Sequence, residues 1–136
     1  AWLAPGTTLG ADLPVRLHLV YNRALAGGLA AGAEGTRPLA AAATGVVIGL
    51  LVMLVPALAR VDRRSTLALA LVAGGGLGNL VSLLRSPRGV PDFLAVPHAH
   101  GAWVLNVADL ALFAGLVLLA RTAWVLVRAC LLYTSD

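Results

Sequence analysis

Apolar residues run through this chain in three long blocks, with one short alternating stretch ahead of them. Pro38–Ala59 holds 22 residues without a charge. As a helix it would be about 33 Å long, enough to cross a hydrocarbon core of about 30 Å. Ser65–Leu84 is a second such block, and Val104–Ala120 (VLNVADLALFAGLVLLA) a third. Arg60–Arg64 forms a tight charged turn between the first two, and Arg121 closes the third. Thr122–Leu132 reads as an apolar helical end or an interfacial segment. Ahead of the blocks, Val15, Leu17, Leu19 and Tyr21 alternate with Arg16, His18 and Val20. That period of two predicts a short strand. Pro5, Gly6, Gly10 and Pro14 before it mark a loop, and the glycines of Asn22–Arg37 mark a small-residue segment. Arg85–Trp103, with Pro87, Gly89, Pro91 and Pro97, reads as a loop that ends on an interfacial Trp103. The expected fold is mainly α: a polytopic membrane bundle with three clear spans and a short β segment, forming one membrane domain over residues 1–136. Gly45 with Gly49, and Gly74 with Gly78, have the small-xxx-small spacing that lets neighbouring helices approach.

Composition agrees with this picture. Of 136 residues 60% are hydrophobic and 12% charged, against about 45–50% and about 25% in a soluble domain. The net charge of +4 comes entirely with arginine, since the ten basic residues include no lysine. These arginines stand singly or in short clusters at span ends, so they argue for membrane flanks and against nucleic-acid binding. Five lie on each side of the bundle, but the three in Arg60–Arg64 are densest, which places that turn in the cytoplasm. The single Cys130 excludes an internal disulfide and a cysteine metal cage. No signal peptide is legible ahead of Trp2. The tail 130–136 departs from the style of the rest and is assigned no function.

The chemistry concentrates in the third block. Asp109 and Asn106 stand within its first two turns, on one helical face. A carboxylate at the centre of a membrane helix costs roughly 2.5–3.5 kcal/mol, less near an end, so it calls for a partner or a task. Asp92, in the preceding loop, supplies a second acid. Two carboxyls brought close in a poorly solvated site cannot both ionise; one keeps a proton and the other serves as a base. Such a pair can activate water against an amide and protonate the leaving nitrogen. Two other readings stand beside it: a polar clasp tying helices together, and a metal site that also draws on His98 and His100. The latter lacks a recognisable ligand motif. Neither Ser82 nor Cys130 has a base in a nucleophile pattern.

Taken together, Gly75-Gly76-Leu77-Gly78-Asn79, Pro91-Asp92-Phe93 and Asn106-Val107-Ala108-Asp109 with the downstream Gly115 resemble the lipoprotein signal peptidase family (signal peptidase II). The resemblance spans roughly residues 15–120. It implies a membrane aspartic endopeptidase of the bacterial plasma membrane that needs no cofactor. Its substrate would be a prolipoprotein, cut just before a diacylglyceryl-modified cysteine within the lipid phase. It further implies Asp92 and Asp109 as the catalytic pair, Asn79 and Asn106 as substrate-holding or acid-orienting residues, and Asn22 on a substrate-cradling sheet. The chain departs from the family pattern in four places. Ser82 and Leu83 replace an Asp-Arg pair, with Arg85 nearby as a stand-in for the arginine; Pro91 replaces a valine; Ala24 replaces a glycine; and the family's first span is absent. The missing pair keeps a non-enzymatic alternative open, an inactive relative or a helix-packing protein.

Overall fold

The computed structural model describes residues 5–10, 12–22, 36–60 and 62–133. The segment 23–35, Ala24 included, and the tail beyond Tyr133 lie outside the described residues. Three helices, α1 (Thr36–Ala59), α2 (Arg63–Arg85) and α3 (Val107–Tyr133), stand beside an antiparallel sheet of four strands. The strands are β1 (Thr8–Leu9), β2 (Arg16–Asn22), β3 (Val90–His98) and β4 (Gly101–Leu105), in sheet order β1-β2-β3-β4. All three helices are long and apolar enough to cross a membrane, over Pro38–Ala59, Arg63–Arg85 and Val107–Leu131.

The bundle is built around α2, which packs on both α1 and α3. Its buried residues include Ser65, Ala68, Leu69, Val72, Gly75 and Gly76, small ones predominating. The large apolar side chains point the other way: Met53, Leu50, Phe113 and Leu116 are exposed on the outer helix faces. In a bilayer this is the expected arrangement, because lipid rather than a protein core receives the bulky apolar groups. The tightest approaches of α2 and α3 come at Gly75 and Gly115; of the glycines the spacing predicts, Gly78 also meets α3, with a Cβ there 3.3 Å from Ala108 Cβ. A Cβ at Gly75 would stand 2.5 Å from the Ala108 carbonyl oxygen, and one at Gly115 would stand 2.7 Å from that of Ala68. Gly45, Gly49 and Gly74 face open space instead. Spacing identifies a candidate face, but only the packing partner decides which glycine is used.

Asp62 caps α2, accepting a hydrogen bond from the Arg64 amide, and pairs with Arg121 of α3 at 3.4 Å. Arg121 therefore does not close the third span; α3 runs on through Thr122–Leu132 to Tyr133. At the opposite end of the bundle lies the sheet. The expected strand over 15–21 is β2, displaced by one residue and paired on both sides. Residues 5–14 hold β1 within the expected loop. Arg85–Trp103 is also no loop, since β3 and most of β4 occupy it as a hairpin. Pro91 and Pro97 hid these strands. Pro91 faces only β2 and Pro97 only β4, so each sits where β3 has a single paired neighbour and its missing donor interrupts no two-sided ladder. The Arg88 guanidinium lies 5.6 Å from the centre of the Tyr21 ring and ties the α2–β3 turn to β2.

Candidate active site

Asn106 is the single residue between β4 and α3. The sequence places it inside a helix that starts at Val104; the structure places it just ahead of one that starts at Val107, with Asp109 third. Asn106 Oδ1 accepts from the Asp109 amide at 3.0 Å, and Asp109 Oδ2 accepts from the Asn106 amide at 2.9 Å. This reciprocal pair is a capping box, satisfying amides that have no partner at a helix start. It accounts locally for a carboxylate in an apolar run. The carboxylate also sits at the helix end that favours negative charge. The Asn-x-x-Asp spacing directly after the hairpin was the signal in the sequence for this boundary.

Capping leaves the other oxygen of Asp109 and the amide group of Asn106 for contacts between elements. Asn79, near the end of α2, donates through Nδ2 to Asp109 Oδ1 at 2.8 Å. Asn106 Nδ2 donates to Asn79 Oδ1 at 3.0 Å and to Asp92 Oδ1 at 2.7 Å. Asp92 reaches this cluster from β3, where it pairs with Val20 of β2 and is only 5% exposed. Asn22, two residue pairs further along the ladder, hydrogen-bonds the Asp92 carboxyl as well. Both acids thus share one asparagine, although they come from a strand and a helix 17 positions apart in the chain.

Burial pushes the Asp92 carboxyl above the usual carboxylate range. The bonds from Asn106 and Asn22 favour its ionised form and oppose that rise, and the nearby charge of Asp109 adds to it. Desolvation prevails, so Asp92 holds a proton more readily than an exposed aspartate does.

Of the residues singled out from sequence, Asn22, Asn79, Asp92, Asn106 and Asp109 meet in one network. Arg85 does not join it; it ends α2 and is exposed. Ser82 serves the end of α2, its carbonyl accepting from the Ser86 amide. His98 and His100 stand at the tip of the β3–β4 hairpin, where His98 lies 5.0 Å from the exposed Trp103 ring, centre to centre. Six residue steps along β3, about 20 Å, separate His98 from Asp92. The structure therefore does not assemble the four-residue metal set that the sequence left open.

A family model described as signal peptidase (SPase) II matches residues 6–125. A lipoprotein signal peptidase of Methylorubrum extorquens is 37% identical over 126 residues, covering 85% of this chain and 71% of that protein. One from Burkholderia mallei is 39% identical over 106 residues, covering 76% of this chain; the chain spans 62% of its length. Among solved structures, a bacterial membrane enzyme determined by the in meso method at 2.3 Å resolution superposes with a TM-score of 0.76 at 21% identity, covering 90% of this chain and 73% of that one. A second, at 1.9 Å resolution, gives 0.76 at 20% identity, with 89% and 77% covered.

Proposed function

The chain belongs to the signal peptidase II family, a family of peptidases, and on that premise we propose that it is an aspartic endopeptidase of the bacterial plasma membrane. It removes signal peptides from prolipoproteins whose cysteine carries a diacylglyceryl group, with Asp92 and Asp109 as its catalytic residues. The observation that carries this reading is the double use of Asn106. A single amide group bonds Asp92 and the Asn79 that holds Asp109, while its own backbone and carbonyl oxygen hold Asp109 directly. Two carboxyls are thereby fixed near each other at one end of a membrane bundle.

The chemistry follows from that placement. Buried Asp92 holds the proton, and Asp109, with two donors on its oxygens, serves as the base. A water between them gives a proton to Asp109 as its oxygen attacks the scissile carbonyl carbon. Asp92 gives its proton to the carbonyl oxygen; as the C–N bond then breaks, Asp109 passes its proton to the leaving nitrogen and Asp92 takes one back from a hydroxyl of the intermediate. The exposed apolar faces of α1 and α3 suit a signal helix and acyl chains arriving sideways from the bilayer.

The capping box favours a second reading, in which the asparagines and Asp109 only join helices and the chain cuts nothing. The two are separated by Asp92→Asn and Asp109→Asn, assayed on a lipid-modified precursor in membranes. Each variant is expected to insert like the parent protein and to lose at least about a thousandfold in cleavage rate. Full processing by either, or a parent protein that leaves precursor uncut, overturns the peptidase reading.

A further inference from the structure

Gly75 belongs to no part of the hydrogen-bonded network, yet it touches the turn that carries Asp109. A Cβ built on it would meet the Ala108 carbonyl oxygen at 2.5 Å, Leu112 Cγ at 2.9 Å and the Leu112 amide at 3.0 Å. Two of these three atoms are backbone, so a side-chain rotation cannot relieve the contact. Ala108 precedes Asp109 in the first turn of α3, and Gly75 precedes Asn79 by four residues on α2, about one helical turn along the same face. The two helices therefore approach tightly one turn away from the Asn79–Asp109 hydrogen bond of 2.8 Å.

We infer that Gly75 is a positioning residue for the carboxyl pair: its missing side chain seats the first turn of α3 at the distance from α2 at which Asn79 holds Asp109. This rests on the peptidase reading above. The magnitudes support it. An added Cβ has to move the Ala108 carbonyl from 2.5 Å to at least 3.0 Å, and to 3.4 Å for ordinary contact, a displacement of about 0.5–0.9 Å. A 2.8 Å bond stretched along its axis by that amount reaches about 3.3–3.7 Å, past the usual hydrogen-bond range. Gly115 makes an equally tight contact, with Val72 Cγ2 at 2.6 Å and the Ala68 carbonyl at 2.7 Å, but it lies deeper in the bundle, away from the acids. It supplies the matched control for helix packing alone, and Gly74, with nothing nearby, the neutral one.

The test is a set of variants of the full chain in detergent or lipid discs: Gly75→Ala, Gly115→Ala, Gly74→Ala and Asn79→Ala, with the double variant Gly75→Ala/Asn79→Ala. Gly75→Ala is expected to lower kcat at least about tenfold with little change in KM, and to shift the acid limb of the kcat–pH profile. Gly115→Ala is expected to lower thermal stability comparably and leave that pH limb in place. In the Asn79→Ala background, Gly75→Ala should add little further loss, because the bond it disturbs is already gone. Unchanged kcat and pH profile in Gly75→Ala, or fully additive effects in the double variant, overturns the inference. If Gly75→Ala cannot be recovered folded, Gly78→Ala decides, since its Cβ meets Ala108 Cβ at 3.3 Å and pushes on the same turn more gently. A smaller kcat loss that vanishes without Asn79 supports the inference, and unchanged kcat overturns it. The same cycle read on thermal unfolding serves for a chain without activity: non-additive melting shifts support the coupling, and additive ones refute it. Activity surviving Asp92→Asn would instead refute the peptidase reading and leave the helix-seating result standing on the melting cycle.

Discussion

At Asp92, the burial that suits the proposed proton donor costs the folded chain stability at neutral pH. Its carboxyl is raised because the folded state disfavours the charge, so protonated Asp92 is the form that folding prefers. The unfolded chain has its aspartates near 3.9. Below that pH the group's stabilising contribution is fully present, and it is lost as the pH rises through the folded value. At neutral pH the folded chain either keeps a proton that the unfolded carboxylate has shed or buries the charge, and an amide avoids both costs. Asp92→Asn is therefore expected to melt higher than the parent protein at pH 7 while losing activity, and the difference should shrink near pH 4. Thermal unfolding in detergent at the two pH values checks this. A variant less stable at pH 7 would mean that the bonds from Asn22 and Asn106 outweigh desolvation. Asp109 stands differently: its cap and its bond to Asn79 give it a structural task in addition to the chemical one proposed for it.

Among the elements, the β3–β4 hairpin was the least legible and positions the most. Its prolines and glycines carry the marks of a loop, and it has no clean alternation, because Asp92 and its neighbours on both faces are wholly or partly buried. The alternation of β2 and the lengths of the three helices, by contrast, were plain in the sequence. Gly89 turns the chain from α2 into β3 at φ 106°, a conformation that side chains resist at a cost of order 1–3 kcal/mol. Gly89→Ala is expected to lose stability in that range and to disturb Val90–Asp92, so that cleavage falls along with the melting temperature. Gly45→Ala, on an open face of α1, should leave both unchanged. Unfolding and activity measured on the two variants side by side make the comparison; equal behaviour would deny the turn its role.

For the molecule as a whole, the two ends of the bundle differ in kind. One holds the sheet and the paired acids; the other holds the capped turn at Asp62, its bond to Arg121, and Arg60, Arg63 and Arg64. The density of arginine predicts that the second end faces the cytoplasm. The exposed Cys130 thiol lies towards that end, in the last part of α3. A membrane-impermeant maleimide is expected to label it in inverted vesicles and not in spheroplasts. A cysteine placed at His98 in a Cys130→Ser background should show the reverse. Labelling of both from one side would contradict the arrangement of three spans, and both patterns inverted would contradict the orientation.

Hydrophobic block length alone determined that three helices are long and apolar enough to cross a membrane, because a span needs only enough apolar residues in a row and no particular partner. Residue chemistry likewise marked out Asp92, Asp109 and the asparagines, since charge and amides are conspicuous in so apolar a chain. Tertiary structure decided where α3 begins, that Asp92 rides on a strand, which glycines face a neighbour, and that Arg85 and the histidines stand apart. Those outcomes depend on which groups come within hydrogen-bonding or contact distance once sheet and helices pack, and such distances between remote positions have no trace in a one-dimensional pattern.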